Sequence, residues 1–242
     1  ADKGINVDLY CLDNKRANNM KNTLSRTIGL SNDSVNFLES YKILNKKDCW
    51  NIKQIKLYNE NELNSFLNFK PDKNSFSMIS YNVLNKSLET KLKKNKRLKI
   101  KMKRYQGFFP NLLKKNYEII IITDTNNSLF KKYFGRHFKK NYNSTAFTTI
   151  INHSKIQNNI AEQYFTKFGP LAFLPISNNQ TSVVFSIFDK DLIKDKVKIK
   201  NLIEKYNRHY KIKNIRPLQE FPINLFLSRN YFYKNILSFG DA

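Results

Sequence analysis

The sequence has few of the residues that build disulfide frameworks or metal centres. Only two cysteines, Cys11 and Cys49, occur in 242 residues, and two thiols form neither a framework nor a metal-binding spacing. We expect both to be free thiols in a reducing compartment. The three histidines, His137, His153 and His209, also lack ligand spacing. The sequence therefore predicts no metal site, and we interpret the histidines as surface or hydrogen-bonded structural residues.

Long apolar segments are missing as well. No stretch approaches the roughly 20 apolar residues that a membrane-spanning helix needs. The first residues, "ADKG", lack the apolar segment of a secretory signal. We therefore expect a cytoplasmic protein. Because the chain also starts without methionine, we expect it to be a fragment of a longer protein.

Acidic residues are scarce, with 19 Asp and Glu against 43 Lys and Arg and a formal net charge of +24. Two explanations stay open. A/T-rich codons enrich Lys and Asn throughout a chain, whereas a polyanion-binding protein concentrates Lys on one face. The lysines here are spread over the whole length, which favours coding bias, so nucleic acid is not the expected partner. A basic surface still favours an anionic membrane, and we expect peripheral association with the inner membrane face.

Hydrophobic periodicity predicts both helices and strands. Ser31 and Ser80 stand where N-caps precede two amphipathic helices, the first with Val35 facing inward. The run "YEIIIITD" predicts a strand buried on both faces, whereas "RLKIKMKRY" alternates like an edge strand with solvated lysines. Residues 142–188 form long β-runs, and a helix should follow with Ile199, Leu202, Ile203 and Tyr206 on its inner face.

Two aspartates follow apolar strands. Asp124 comes directly after the isoleucine run, and Asp241 follows "NILSFG". In open α/β sheets, ligands bind beyond the carboxyl ends of the strands. The pattern therefore predicts that Asp124 and Asp241 lie near one site, although turn aspartates after strands are also common.

Four segments in this order resemble the flavin-dependent aromatic-ring hydroxylases of ubiquinone biosynthesis, within the para-hydroxybenzoate-hydroxylase-like flavoproteins. They are "SRTIGLSNDSVNFLES", "IITDTNNSLFKKYFG", "AEQYFTKFGPLAFLPISNNQTSVVFSI" and "NILSFGDA". The combination of "GPLAFLP" with a later "GDA" is the most specific of these features. The resemblance extends over most of the chain.

The resemblance implies an α/β fold (mixed α+β) in which two domains are interleaved along the sequence. A Rossmann-like FAD-binding domain, incomplete here, would comprise residues 1–46, 80–136 and 232–242. A β-sheet substrate domain would comprise residues 47–79 and 137–231. The six glycines form no G-x-G-x-x-G motif, which holds the pyrophosphate in this family. We therefore expect the isolated chain to bind FAD weakly and to be inactive.

The resemblance also implies site residues. Arg26 would lie against the isoalloxazine or pyrophosphate side of FAD, where the alternative is a surface arginine or a salt bridge at the start of a helix. Asp241 would accept hydrogen bonds from the ribityl or pyrophosphate-linked hydroxyls, with a turn aspartate as the alternative. Asp124 would help to order the flavin and nicotinamide region, and Gly240 would contact the cofactor. Gly169 and Pro170 would shape the substrate-facing sheet, or only begin a strand. The sequence identifies no catalytic acid or base.

Three positions depart from the family pattern. Thr125 stands where the family has glycine after the aspartate, and Lys131 stands in the place of an arginine. Cys11 occupies the position of an acidic residue that binds ribose, with Asp13 nearby as a substitute. Lysine keeps the positive charge but loses the planar bidentate donor of arginine.

The activity implied by the resemblance is an FAD-dependent monooxygenase that uses NAD(P)H and dioxygen to hydroxylate the ring of a polyprenylated phenol. FAD would supply the oxygen chemistry, and the partner would be a quinone-like lipid substrate. Two alternatives stay open: a non-catalytic basic protein that binds nucleic acid, and a degenerate flavoprotein-like subunit with a structural role.

Overall fold

The computed structural model describes residues 4–12, 26–70, 76–103, 117–188 and 195–240. Its contacts divide the chain into two compact units. Unit 1 comprises Ala1–Leu9, Lys15–Ile100 and Ser144–Pro222, and unit 2 comprises Tyr10–Asn14, Lys101–Asn143 and Ile223–Ala242. The architecture is mixed α+β, and no helix in the described part of the chain is long and apolar enough to cross a membrane.

The largest sheet has eight strands and provides most of unit 1. Its strands are β4 (Gln54–Asn59), β5 (Leu67–Phe69), β9 (His137–His153), β10 (Ile160–Thr166), β11 (Gly169–Ser177), β12 (Gln180–Phe188), β13 (Ile212–Ile215) and β14 (Gln219–Ser228). Their order is β13-β9-β12-β11-β10-β4-β5, and β14 also pairs with β9. The pairs β9–β12, β12–β11 and β11–β10 are antiparallel, and the long β-runs predicted from the sequence for residues 142–188 form strands of this sheet.

One face of this sheet packs against helix α4 (Lys196–Tyr206). Ile199 and Ile203 are fully buried, and Tyr206 is almost so, which confirms the predicted inner face of this helix. The side chain of Asp195 caps the helix by accepting a hydrogen bond of 2.8 Å from the main-chain amide of Val197. An amphipathic helix thus closes the core of unit 1.

A smaller sheet of unit 1 contains β3 (Trp50–Ile52) and β6 (Phe76–Ser80) beside β2 (Thr27–Leu30), in the order β2-β6-β3. Two helices accompany it, α1 (Asn32–Ser40) and α2 (Tyr81–Lys93), and a short 3-10 helix, Lys46–Asp48, lies between α1 and β3. The core of this region joins Ile52 and Met78 to Ala161 of β10.

The two predicted N-caps differ. Ser31 caps α1 by accepting a hydrogen bond of 3.1 Å from the main-chain amide of Ser34, and Val35 is buried as expected. Ser80 occupies the N-cap position of α2 but makes no capping hydrogen bond with its side chain. The sequence pattern therefore predicted where both helices begin. It did not predict that the Ser31 side chain makes a capping hydrogen bond and the Ser80 side chain does not.

A two-stranded sheet pairs β1 (Val7–Leu12) with β7 (Leu98–Lys103). The main-chain amide of Val7 donates a hydrogen bond of 2.9 Å to the carbonyl of Arg97. The alternating pattern of β7 predicted one face of solvated lysines and a second face that includes Ile100, and Ile100 is also exposed. Alternation specifies two faces and does not by itself specify which face is covered.

Unit 2 contains a three-stranded sheet and helix α3 (Ser128–Phe134). The strands are β8 (Ile120–Ile122), β15 (Phe232–Tyr233) and β16 (Ile236–Ser238), in the order β15-β16-β8. β16 runs parallel to β8, and Ile122 and Ile236 pack against Phe130 and Phe134 of α3.

The prediction that the isoleucine run is buried on both faces is wrong. Ile122 is buried, but Ile119 and Ile121 are each 60% exposed. The physical reason is that, among the described residues, α3 packs on one side of the three-stranded sheet, and Ile119 and Ile121 are not part of that core. A run of isoleucines fits a sheet that is covered on both sides, and the run alone does not say what covers it.

Candidate functional site

The carboxyl ends of β8 and β16 lie side by side in unit 2. Ile122 pairs with Ser238, and the main-chain amide of Phe239 donates a hydrogen bond of 2.9 Å to the carbonyl of Ile122. Asp124 and Gly240 therefore leave the same edge of the sheet. This is the edge at which α/β sheets bind ligands. Asp241, the second predicted carboxylate, lies outside the described residues, as does Asp13.

Asp124 begins an ordered turn that leads into α3. Its Oδ1 atom accepts a hydrogen bond of 2.9 Å from the main-chain amide of Asn126, and its carbonyl accepts one of 3.1 Å from the amide of Asn127. The Asn127 side chain then caps α3 by accepting from the amide of Leu129 at 2.9 Å. This turn holds the half-buried carboxylate of Asp124 in one position, as Asx turns do.

Gly240 is the glycine of the strand-end pair. Its φ angle is +77°, and a Cβ atom built on it would meet nothing within 4 Å. A positive φ favours glycine, and the open space beside it would let a ligand approach the backbone closely. At the end of β16, Gly240 thus combines a positive φ angle with open space beside the backbone.

A positively charged cleft lies beside α3 in the same unit. Its volume is about 480 Å³, and its lining includes Lys131, Lys132, Arg136 and Arg229. Lys131 is the residue that stands in the place of the family's arginine. Four cationic side chains around one cleft favour an anionic group such as a phosphate.

Arg26 belongs to unit 1, directly before β2. Its guanidinium lies over the ring of Tyr81 at 4.8 Å from the ring centroid, and its carbonyl accepts a hydrogen bond of 3.1 Å from the Tyr81 amide. This cation–π contact orients the exposed side chain at the start of α2. A role against FAD remains a prediction for Arg26.

Gly169 begins β11 with a φ angle of +132°, and a Cβ atom there would lie 2.1 Å from the carbonyl oxygen of Ser186. The hydroxyl of Thr166 donates a hydrogen bond of 2.7 Å to the Gly169 carbonyl. Pro170 pairs with Phe165 and is exposed. The backbone of β11 therefore requires glycine at this position for close strand packing.

A buried carboxylate in unit 1 was not identified from the sequence. Glu162 is only 5% exposed, and it accepts hydrogen bonds from the hydroxyls of Tyr58, at 3.3 Å, and Tyr164, at 3.0 Å. The His209 Nε2 atom lies 3.0 Å from the same carboxylate. Arg208 stacks over both tyrosine rings, at 5.2 and 5.0 Å from their centroids. The network satisfies the buried carboxylate.

Three tyrosines of unit 1, Tyr164, Tyr206 and Tyr210, have a raised pKa, and burial is the main cause for each. Burial, and then the charge of Glu162, raise the pKa of Tyr164 well above its ordinary value. Burial also raises the pKa of Tyr206 and of Tyr210 to about 12 each. The Tyr206 hydroxyl donates a hydrogen bond to Glu60, and this hydrogen bond lowers the pKa of the Glu60 carboxyl. All of these tyrosines are therefore neutral donors near neutral pH.

A second network confirms the interpretation of His153 as a hydrogen-bonded structural residue. His153 is buried, and its Nε2 atom lies 3.0 Å from the hydroxyl of Thr181. The amide of Asn158 donates to Thr181 at 2.9 Å and accepts from the Tyr210 hydroxyl at 3.1 Å. His153 ends β9 and Thr181 lies near the start of β12, whereas Asn158 and Tyr210 lie in loops. The network therefore joins two neighbouring strands to two loops by hydrogen bonds.

The described part of the chain contains no group of three His, Cys, Asp or Glu residues that could hold a metal ion. Cys49 is a free thiol whose pKa is raised, first by burial and then by nearby carboxylates. A raised thiol pKa lowers the thiolate fraction and the reactivity of a cysteine.

The residues at the strand ends of unit 2 fit part of a flavin nucleotide. The Asp124 carboxylate can accept hydrogen bonds from ribityl hydroxyls, and Gly240 leaves room for close approach. The basic cleft beside α3 suits a negatively charged group. These residues provide an acceptor, space and positive charge within one unit.

Comparisons with known proteins identify similar folds at low sequence identity. No family model matches the chain, and no curated protein matches it. The structure of p-nitrophenol 4-monooxygenase PnpA from Pseudomonas putida matches 99% of this chain and 67% of that protein, with a TM-score of 0.70 and 9% identity. The structure of 2-methyl-3-hydroxypyridine-5-carboxylic acid oxygenase matches 100% of this chain and 70% of that protein, with a TM-score of 0.68 and 11% sequence identity.

A third structure, PqsL from Pseudomonas aeruginosa, is described as a probable FAD-dependent monooxygenase. It matches 99% of this chain and 72% of its own length, with a TM-score of 0.69 and 12% identity. The chain thus spans about two thirds of the structures that it matches, and three are covered for only 63 to 65% of their length. At these identities the likeness concerns the fold. The chain therefore has a mixed α+β fold similar to about two thirds of these monooxygenase and oxygenase structures.

Proposed function

We propose that the protein is an FAD-dependent monooxygenase that hydroxylates the aromatic ring of a polyprenylated phenol in ubiquinone biosynthesis. NAD(P)H would supply two electrons, one oxygen atom of dioxygen would enter the ring, and the other would leave as water. FAD supplies this oxygen chemistry when it is bound. The substrate class comes from the resemblance of "GPLAFLP" and "GDA" to the hydroxylases of that pathway.

The observation that carries the proposal is the parallel pairing of β8 and β16. It puts Asp124 and Gly240 at one edge of a sheet in a chain whose fold is similar to these monooxygenase structures. In this proposal Asp124 accepts hydrogen bonds from the ribityl hydroxyls, and Gly240 lets the cofactor approach the backbone. The lysines and arginines of the cleft beside α3 would hold an anionic part of a ligand.

The residues of unit 1 would bind and shield the substrate. Gly169 fixes the backbone at the start of β11, and Pro170 follows it at the exposed end of the strand. The networks around Glu162 and Asn158 would keep this sheet rigid, because buried polar groups that are fully hydrogen-bonded specify one arrangement. A rigid sheet excludes water from a bound ring.

The test uses the polypeptide expressed from its complete reading frame and purified with added FAD. Its flavin content, its NAD(P)H consumption and the mass of the product formed from a polyprenylated phenol would be measured. The proposal predicts phenol-dependent NAD(P)H consumption and a product that has gained one oxygen atom. Asp124→Asn should reduce flavin content, whereas Asp33→Asn, at an exposed position of α1, should not. A protein that retains no flavin and forms no oxygenated product would overturn the proposal.

A further inference from the structure

A cluster of like charges lies at the carboxyl end of α3 in unit 2. Lys131 and Lys132 belong to the last turn of the helix, Arg136 follows the helix, and Arg229 follows β14. All four side chains line the cleft beside α3, whose volume is about 480 Å³. Within the described residues, no salt bridge joins any of these four side chains to a carboxylate.

The backbone holds two of these charges next to each other. The main-chain amide of Arg229 donates a hydrogen bond of 3.0 Å to the carbonyl of Arg136, so two arginines from distant segments become neighbours. Like charges on neighbouring strands are destabilising. The carbonyl groups at the end of α3 favour Lys131 and Lys132, but they do not account for the two arginines. An anion bound between these side chains would offset their repulsion.

Neutral groups in the same cleft indicate more than a bare phosphate site. Tyr133 lines the cleft, and its half-buried ring stacks on the ring of Tyr233 with the centroids 4.7 Å apart. Asn230 also belongs to the lining, and its amide can both donate and accept hydrogen bonds. Bases stack on aromatic rings, and phosphates pair with lysine and arginine. The cleft therefore has the groups that bind a nucleotide.

The cleft lies away from the strand ends that would hold the flavin. The turn of Asp124 leads into the amino end of α3, whereas the cleft is at the carboxyl end of the same helix. α3 has 7 residues, which corresponds to about 10 Å along the helix axis. The two positions can therefore hold two different ligands close together.

We propose that the cleft beside α3 binds the phosphates of the nicotinamide co-substrate and favours NADPH over NADH. The diphosphate that both dinucleotides share carries about two negative charges, and the 2′-phosphate of NADPH adds about two more near neutral pH. This total matches the four cationic side chains of the cleft. The inference rests on the proposed function for one point, which is that NAD(P)H supplies the electrons. Phosphate binding itself requires neither FAD nor phenol, so its failure is distinguishable from the failure of the proposed function.

The test is isothermal titration of the purified chain, without FAD, with two fragments of the co-substrates. 2′-Phospho-ADP-ribose carries the additional phosphate of NADPH, and ADP-ribose lacks it. We expect 2′-phospho-ADP-ribose to bind at least about tenfold more tightly, because its added charge meets cations in the cleft, and we expect the difference to shrink as salt rises. Inorganic diphosphate has no base or ribose to contact Tyr133 and Asn230, so it should bind more weakly than 2′-phospho-ADP-ribose.

The double variant Arg136→Gln, Arg229→Gln should remove most of the preference for 2′-phospho-ADP-ribose. A matched control, Lys139→Gln with Lys140→Gln, removes the same amount of charge from exposed positions of β9 that do not line the cleft, and it should keep the preference. Circular dichroism checks that both variants remain folded, as expected for exposed positions. Lys132→Gln, at an exposed position of α3, tests the same cleft with a single change and should reduce the preference less.

Several results would overturn the proposal. They are equal affinity for the two fragments, no binding of either fragment, or an equal loss of preference in the arginine variant and the Lys139 and Lys140 control. Inorganic diphosphate that binds as tightly as 2′-phospho-ADP-ribose would indicate a general anion patch and would also overturn it. Displacement of the bound fragment by stoichiometric FAD would assign the cleft to the flavin, with the same consequence.

Discussion

The amide of Phe239 donates its hydrogen bond to the carbonyl of Ile122, at 2.9 Å. This one contact continues the parallel register of β16 and β8 to the end of both strands. Asp124 then follows one strand by two residues, and Gly240 follows the other by two residues. Segments separated by more than a hundred positions in the sequence therefore supply a carboxylate and a glycine to the same edge, where α/β sheets bind ligands.

The first prediction concerns Gly169. The backbone of Gly169 packs closely against the carbonyl group of Ser186. A Cβ atom at position 169 would lie 2.1 Å from the Ser186 carbonyl oxygen. Gly169→Ala should therefore destabilise the chain by about 2 kcal/mol or more, since both the positive φ and the clash are unfavourable. Urea unfolding measures this change. Gly29→Ala is the control, because its Cβ would meet Phe76 at an ordinary 3.4 Å, and a similar loss there would contradict the account.

The second prediction concerns the buried carboxylate of Glu162. Glu162→Gln removes the charge while it keeps the shape, and it replaces one of the two acceptor oxygens with an NH2 donor. The hydroxyls of Tyr58 and Tyr164 and the ring of His209 can then no longer all be satisfied. We expect a loss of about 1–3 kcal/mol in the free energy of unfolding. A double-mutant cycle with His209→Gln should show a coupling of at least about 0.5 kcal/mol. If the effects of the two substitutions on the free energy of unfolding were strictly additive, the side chains of Glu162 and His209 would not interact.

The third prediction is a loss of stability in alkali. The folded chain raises the pKa of Tyr206 and Tyr210 from 10.0 to about 12, so between these values it retains protons that the unfolded chain releases. Linkage then requires that stability falls as pH rises from about 10 to about 12. Unfolding midpoints across this range measure the slope. Tyr206→Phe and Tyr210→Phe should each reduce the slope of stability against pH. An unchanged slope in both variants would refute the claim that these two tyrosines have a raised pKa in the folded chain.

The fourth prediction compares two helix caps. Ser31→Ala removes the acceptor of the Ser34 amide and should destabilise the chain by about 1 kcal/mol. Ser80→Ala removes no capping hydrogen bond, so its effect on the unfolding free energy should be clearly smaller. Both values come from denaturant titrations of the two single variants. Equal losses would mean that the Ser31 bond does not stabilise α1.

The features that sequence reasoning found have local causes. The apolar stripe of α4, the cap at Ser31 and the strand before Asp124 each depend on residues close together in the chain. Glu162 illustrates what such reasoning misses, since its partners Tyr58 and His209 lie 104 and 47 positions away. The available signal was a carboxylate at an inward position of an alternating strand, beside Tyr164 on the same face.

The isoleucine run shows a second limit. Four consecutive isoleucines correctly predicted a strand, but its burial depends on what packs over each side of the sheet. α3 packs over Ile122, whereas Ile121 remains exposed. Which element packs over each side of a sheet depends on the tertiary structure. Neither the hydrophobicity of a strand nor the periodicity of its apolar residues specifies it.

The central claim is that the strand ends of β8 and β16 bind a flavin nucleotide. The most direct measurement is a fluorescence titration of FAD with the purified chain, its Asp124→Asn variant and its Asp33→Asn variant. The account predicts weak, saturable binding by the chain and by Asp33→Asn, and about tenfold weaker binding by Asp124→Asn, equivalent to about 1.4 kcal/mol. Identical affinities in all three proteins, or no saturable binding in any of them, would contradict it.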